Sequence, residues 1–350
     1  MPNRDIVVIG ASAGGVAALS NLVGELPHDF PAAVFIVLHV SRYGTSAMPA
    51  ILSRAGVLPA SHPRDGEPFE PGRIYVAPPD HHLVLEPGRV RLSRGPSENG
   101  HRPAVDVLFR TAAHSYKNRV IGVVLTGNLD DGTAGLAEIK AQNGLAVAQD
   151  PEDADHPAMP SSAIANVAVD HVLALGEIPG LLLRRVRETV PTFSDPSEEE
   201  EGVGMKEKLE DGADRNPGDP SGYTCPECGG ALWESHAKEV LHFRCRTGHA
   251  FSPESLIANQ SDSLEVSLWA AVRALQENAS LARRMERWME QRGSEHGRHR
   301  YQKRASDAER HADILKEILL QNPAEMEAES ELGRAVEGAE KRVRPPVRTR

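Results

Sequence analysis

Short β-branched apolar runs alternate with segments of helical pattern through the first 190 residues, and this succession constrains the chain more than any other feature. It reads as an α/β fold: a doubly wound, mostly parallel sheet with helices on both faces. The expected strands are Ile6–Ile9, Ala33–Leu38, Arg73–Ala77, Val120–Leu125, Leu145–Gln149 and His171–Leu175. The expected helices are Gly15–Gly24, Ser46–Ala55, Val105–Tyr116, Thr133–Asn143 and Ser161–Asn166. Between them "HHLVLEPGRVRLSR" alternates on either side of Pro87-Gly88, which predicts an antiparallel β-hairpin.

The pattern stops near Val190, and the chain divides at the changes in composition. Residues 1–190 form the α/β domain, and 191–221, rich in Glu, Asp, Gly, Pro and Ser, form an acidic linker that cannot bury a core. All three cysteines fall in a small module at 222–252. A helical hairpin follows at 253–322, with an apolar stripe of Leu264, Leu268, Val272, Leu275, Met285, Trp288 and Met289 on its first helix, and a charged tail fills 323–350. The formal net charge of −11 argues against a nucleic-acid partner. No apolar run reaches the roughly 18–20 residues that span a bilayer, and no signal peptide opens the chain. The expectation is a cytoplasmic protein without membrane insertion.

The first strand runs into Gly10-Ala11-Ser12-Ala13-Gly14-Gly15, which can be read as a phosphate cradle or as a Gly-x-Ser-x-Gly turn that presents a nucleophile. A dinucleotide site requires a bare second glycine and an acidic residue ending the second strand. Ser12 and His39 stand at those places. The same two residues favour the nucleophile, since ends of successive strands line one crevice and an imidazole can take the serine proton. A carboxylate should orient that imidazole. "TGNLDDGTAGL" offers Asp130 and Asp131 at the same edge; Asp131-Gly132 is the better candidate, although either aspartate could instead cap the following helix. Arg102 and Asp106, in "HRPAVDVLF", read as a helix start in which Asp106 stabilises the first turn, and His101 stays outside the triad. His81, His82 and His156 lie in polar stretches and are expected to be solvated.

The stretches "VVIGASAGG", "FIVLHVS", "PRDGEPFEPGRIYVAPPDHHL", "NGHRPAVDVLF", "GVVLTGNLDDGTAGL" and "AMPSSAI" follow in order over about residues 4 to 185. Together they resemble the catalytic domain of CheB-type protein-glutamate methylesterases, which remove methyl groups from chemotaxis receptors. The resemblance implies a triad of Ser12, His39 and Asp131, with methylated cytoplasmic receptor helices as substrate and glutamine deamidation as a second activity. Better-known members carry Thr where this chain has Ala13 and Met where it has Asn128, both beside the oxyanion. Members of the family usually begin with a receiver domain; the first strand here starts about five residues in, and a stand-alone catalytic domain is expected.

"CPECGG" and "CRTGH" give Cys-x2-Cys, sixteen residues, then Cys-x3-His. That spacing suits a small zinc ribbon in which Cys225, Cys228, Cys245 and His249 close around one structural zinc, with His242 or His236 as substitutes for the fourth ligand. The extension also offers a surface for signalling partners. A non-catalytic scaffold that uses the ribbon and helices to bind a partner is the competing reading.

Overall fold

The computed structural model describes residues 2–42, 45–191, 218–237 and 240–320. Most of the expected linker (192–217), the last two residues of the expected hairpin (321–322) and the expected tail (323–350) lie outside the described residues. The chain forms two compact units, Met1–Asn259 and Gln260–Arg350.

In the first unit β1 (Ile6–Ala11), α1 (Gly15–Gly24), β2 (Ala33–Leu38), α2 (Met48–Ala55), β3 (Ala60–Ser61) and β4 (Ile74–Val76) precede the hairpin of β5 (His82–Glu86) and β6 (Arg89–Ser93). The chain continues through α3 (Val105–Tyr116), β7 (Val120–Val124), α4 (Thr133–Ala141), β8 (Leu145–Gln149), α5 (Ala158–Asn166), β9 (His171–Leu173) and α6 (Ile178–Arg185). Seven strands pair in the order β3-β4-β2-β1-β7-β8-β9, all in parallel. Every predicted strand and helix has its counterpart, while the two-residue β3 and the helix α6 carried no signal of their own.

Strand periodicity builds two separate cores. Val7, Ile9, Val34, Ile36, Ile121 and Val123 face one way and pack with α1, α2 and α6 through Leu19, Leu22, Leu52 and Leu182. Ile6, Val8, Phe35, Val37, Val120 and Val124 face the other way, against Leu108 and Phe109 of α3, Leu136 of α4 and Met159 of α5. At about 2 kcal/mol for each fully buried aliphatic or aromatic side chain, these two layers account for the positions of α1 to α6 on the sheet. Gly10 lets α3 approach the sheet: a Cβ there would stand 2.3 Å from Val105 Cγ1. Gly14, at φ 74°, turns the chain into α1 by a left-handed step that L side chains resist.

Within the same unit β10 (Asp219–Thr224), β11 (Ala231–Ala237), β12 (Val240–Cys245) and β13 (Ala250–Phe251) form an antiparallel sheet that carries the cysteines. Its core is small: Cys225, Leu232, Phe243, Cys245, Phe251 and Leu256. The loop before α3 pairs with this sheet, Asn99 N–H donating to Ala250 O at 2.8 Å and Ala250 N–H to Ser97 O at 3.3 Å. Ser252 then caps the helix α7 (Pro253–Gln291), its Oγ accepting from Ser255 N at 3.1 Å.

The second unit pairs the rest of α7 with α8 (Glu295–Leu320) in a hairpin. Burial there falls on Val272, Ala279, Ala282, Ala305, Ala308 and Ala312, and Arg283 bridges to Glu309 at 2.7 Å. The apolar stripe expected on the first helix only partly packs. Leu264 is 60% and Trp288 42% exposed, because alanine faces do the packing and Trp288 instead lies under the Arg292 guanidinium at 3.9 Å. Among the described residues no helix is long and apolar enough to cross a membrane.

Candidate active site

The sheet topology brings the carboxyl ends of β1, β2 and β7 side by side, the usual place for a site in a doubly wound fold. Ser12 follows β1, its N–H bound to Thr126 O at 3.0 Å, and His39 follows β2, its N–H bound to Ala11 O at 3.2 Å. Asp131 lies in the loop after β7. The structure brings His39 and Asp131 together, with Nε2 2.7 Å from Oδ2 and both side chains buried.

Asp131 is held by four donors. Oδ2 accepts from His39 Nε2 and from Val105 N–H, each at 2.7 Å; Oδ1 accepts from Asn99 Nδ2 at 3.0 Å and Asp106 N–H at 3.2 Å. Two of the four are backbone amides in the first turn of α3, where unpaired N–H groups and the helix dipole favour an anion. Burial alone would raise the acid's pKa, but the His39 hydrogen bond and charge, with the Val105 amide, hold it well below the usual carboxylate range. An ionised Asp131 can only accept, so the proton of a neutral His39 sits on Nε2. Nδ1 is then a bare lone pair. It is buried and, among the described residues, has no hydrogen-bond partner.

Ser12 is half-buried, and among the described residues its Oγ makes no hydrogen bond. The acid–imidazole pair is thus assembled while the serine is free to meet a substrate, a common state of such sites before binding. Gly127 lies against it: a Cβ there would stand 2.8 Å from Ser12 Cβ. Ala13 is fixed through its carbonyl, which accepts from Thr126 Oγ1 at 3.0 Å, and Asn128 is exposed.

Several neighbours were not legible from sequence. His101 stacks on His39, ring centroids 3.6 Å apart and planes 15° from parallel. Burial, then the neighbouring His39, pushes it down to about 4, so it stands as a neutral lid on the imidazole. Asp106 is in the first turn of α3 as expected, yet its carboxylate reaches across to Gly132 N at 3.1 Å and Gly135 N at 2.6 Å, at the start of α4. Burial and Asp131 raise its pKa well above the ordinary range. Arg102 is committed to Asp80, at 2.6 Å, and to Gly95 O, at 2.7 Å. The expectation for His82 is corrected: it is 3% exposed, because Nε2 binds Pro96 O at 2.9 Å and Nδ1 accepts from Ala104 N at 3.3 Å.

Asp130 points away from the imidazole. Its Oδ1 accepts from Ser252 Oγ at 2.8 Å and Ser255 Oγ at 3.2 Å. Burial pushes its pKa from 3.8 up to about 6, with Glu254 and Asp131 adding repulsion against the two hydroxyl donors. A folded value above the unfolded one gives stability that is complete below about 3.8 and lost as pH rises through about 6. Asp130→Asn keeps the acceptor and removes that loss. Unfolding titrations should find the variant more stable than the parent above pH 6, by on the order of 3 kcal/mol, and the two converging near pH 4. A constant difference across that range would mean that Asp130 does not titrate there. Glu98 has the opposite sign, held down to about 2 against burial by Arg110 and Arg244, but it is common to both proteins.

Cys225, Cys228, Cys245 and His249 form the second cluster, their ligand atoms all within 4.8 Å of one another. His249 Nδ1 lies 3.4 Å from Cys245 Sγ and 3.7 Å from Cys225 Sγ, and its Nε2 faces Glu227 Oε2 at 3.4 Å. Such a carboxylate behind the ring turns Nδ1 towards the thiols. The four donors converge as metal ligands do, and the group could hold one metal ion. His242 stands outside the cluster, and the His236 side chain lies outside the described residues.

A family profile described as CheB methylesterase matches residues 7–182. A Leptospira interrogans protein named putative protein-glutamate methylesterase/protein-glutamine glutaminase is 39% identical over 183 residues, covering 52% of this chain and 95% of its own length. An Anaeromyxobacter dehalogenans protein-glutamate methylesterase/protein-glutamine glutaminase is 40% identical over 183 residues, and there the match spans 54% of the relative. The crystal structure of the Thermotoga maritima CheB methylesterase catalytic domain superposes with a TM-score of 0.50 at 36% identity, over 51% of this chain and 97% of that one.

Proposed function

This chain belongs to the CheB methylesterase family, and we propose that it hydrolyses glutamate methyl esters on the cytoplasmic helices of chemotaxis-type receptors with Ser12, His39 and Asp131 as its catalytic set. The observation that carries the reading is the buried His39–Asp131 pair at 2.7 Å, which leaves Nδ1 as the only unprotonated imidazole nitrogen. Ser12 Oγ attacks the ester carbonyl carbon as His39 Nδ1 takes its proton. Collapse of the tetrahedral intermediate expels the methoxy group, which leaves as methanol with the proton from His39. Water, deprotonated by the same nitrogen, then frees the glutamate from the acyl-serine. Asp131 stabilises the imidazolium and fixes its tautomer throughout. A glutamine side chain could follow the same acyl route and release ammonia. Ala13 offers no hydroxyl to the oxyanion, so backbone amides and Asn128 supply that stabilisation.

The cysteine cluster fits a structural zinc. A zinc tetrahedron with Zn–S near 2.3 Å has edges of about 3.8 Å, and Cys228 Sγ and Cys245 Sγ are 3.7 Å apart. A bound metal would cross-link the β10–β11 turn to the β12–β13 turn at one end of the small sheet, with side chains supplying all four positions. The module and the hairpin beyond it offer a surface for signalling partners. A buried acid–imidazole pair, its carboxylate held by four donors and the outer imidazole nitrogen left open, favours the enzyme over a scaffold, which has no need of one.

Receptor-containing membranes carrying methyl-labelled glutamates test the proposal: the protein should release labelled methanol, and Ser12→Ala should not. Hydrolysis of a small free ester without methanol from receptor would move the substrate class elsewhere.

A further inference from the structure

The two serines that open α7 and the carboxylate that orients His39 are joined by one side chain, Asn99. Its Oδ1 accepts from Ser252 N–H and from Ser255 Oγ, each at 3.0 Å. Its Nδ2 donates to Asp131 Oδ1 at 3.0 Å and to Asp106 Oδ2 at 2.9 Å. Only this orientation of the amide satisfies all four partners, two donors on one side and two acceptors on the other. All the participants are buried: Asn99 4% exposed, Ser252 6%, Ser255 0%, Asp131 2%. The backbone of Asn99 is held as well, at a left-handed φ of 53° and through its N–H to Ala250 O. Ser252 and Ser255 also touch each other through their hydroxyls; with the single Ser255 hydroxyl proton turned to Asn99, Asp130 Oδ1 accepts from Ser252 Oγ at 2.8 Å, and Ser255 Oγ lies 3.2 Å from it.

We propose that Asn99, Ser252 and Ser255 are positioning residues for the catalytic carboxylate, so that the cysteine-bearing module completes the esterase site in cis. The inference rests on the catalytic set named above. Each of the two serines acts on Asp131 only through the Asn99 amide, which they orient, and Asn99 in turn fixes the face of Asp131 opposite His39. A carboxylate that lost this hold would retain Val105 and Asp106 amides but gain rotational freedom, and with it His39 would lose the alignment on which proton transfer depends.

The test uses the full-length chain. Asn99→Gly tolerates the left-handed turn and removes the amide; Ser255→Ala removes one hydroxyl and leaves the Ser252 helix cap in place. On a small soluble ester, kcat should fall by about 10- to 100-fold in Asn99→Gly and about threefold to tenfold in Ser255→Ala, with KM unchanged in both. Because the serine acts through Asn99, adding Ser255→Ala to Asn99→Gly should cost nothing further. Additive losses, a change confined to KM, or full kcat in either folded variant would overturn the proposal. Should Asn99→Gly fail to fold, the near-isosteric Asn99→Asp serves instead: it keeps the acceptor facing the serines and lacks the amide donor. Ser12→Ala separates the two levels, since an active Ser12→Ala sinks the catalytic set itself, whereas an inert one beside a fully active Asn99 variant sinks only this inference.

Discussion

Ser12→Ala should lower kcat for ester hydrolysis by about 10⁴-fold or more, and His39→Ala by a similar factor, with the fold retained in each. Neither side chain holds the sheet together: among the described residues Ser12 Oγ makes no hydrogen bond, and the His39 ring makes one, through Nε2, beside its stacking on His101. The double variant should be no slower than the worse single one, because a nucleophile without its base and a base without its nucleophile are equally idle. Asp131→Asn should cost about 10³-fold or more, for a reason visible in its contacts. All four neighbours of the carboxylate are donors. An asparagine there must turn its NH2 either towards His39, which forces the ring proton onto Nδ1 and abolishes the base, or towards Asn99 and Asp106 N–H, donor against donor. Asp130→Asn should leave kcat close to that of the parent. Loss of activity in Asp130→Asn with activity retained in Asp131→Asn would reverse the assignment of the orienting acid.

The difference between these two adjacent aspartates shows where sequence reasoning ends. Strands were legible because their apolar runs are continuous, and the positions of Ser12, His39 and the Asp130-Asp131 pair followed from strand ends meeting at one edge of a parallel sheet. Which aspartate turns inward depends on the N-terminus of α3 and on Asn99, both distant in sequence, and no local pattern records them. Asn99-Gly100 reads as a turn and nothing more; its meaning comes from Ser252 and Ser255, more than 150 residues on. His82 was misjudged for the same reason. A polar flank suggests solvent, yet Pro96 O and Ala104 N saturate both ring nitrogens and allow the side chain to be buried. The cysteine spacing was legible because ligand geometry is local to each knuckle. That the resulting sheet is continuous with the loop before α3 was not, since the joining contacts are backbone hydrogen bonds open to almost any residue.

Removal of the metal that the cysteine cluster is proposed to hold should unfold the module and spare the parallel sheet. Its apolar cluster consists of six side chains, two of which are the ligands Cys225 and Cys245. So small a core cannot by itself offset the entropy of ordering the four short strands around it. Zinc bound by such a donor set contributes about 10–16 kcal/mol in apparent terms at neutral pH, and that energy becomes folding energy. Without metal the thiols cannot substitute for it. Cysteine sulfur makes only weak hydrogen bonds, so contacts among the three side chains cannot replace the coordinate bonds. After chelation, or in Cys225→Ser, hydrogen exchange should therefore become fast in peptides from 219–251 and stay slow in β1, β7 and β8, whose strands are buried on both faces. Esterase activity should fall at the same time, and by the factor that Asn99→Gly gives, because an unfolded module no longer presents Ser252 N–H and Ser255 Oγ to Asn99. Chelating the Asn99→Gly variant should then leave its residual kcat unchanged while still releasing the module. Elemental analysis that finds no metal in protein purified without chelator, or protection in 219–251 that survives chelation, would remove the metal from the account and leave the module to be held by its docking alone.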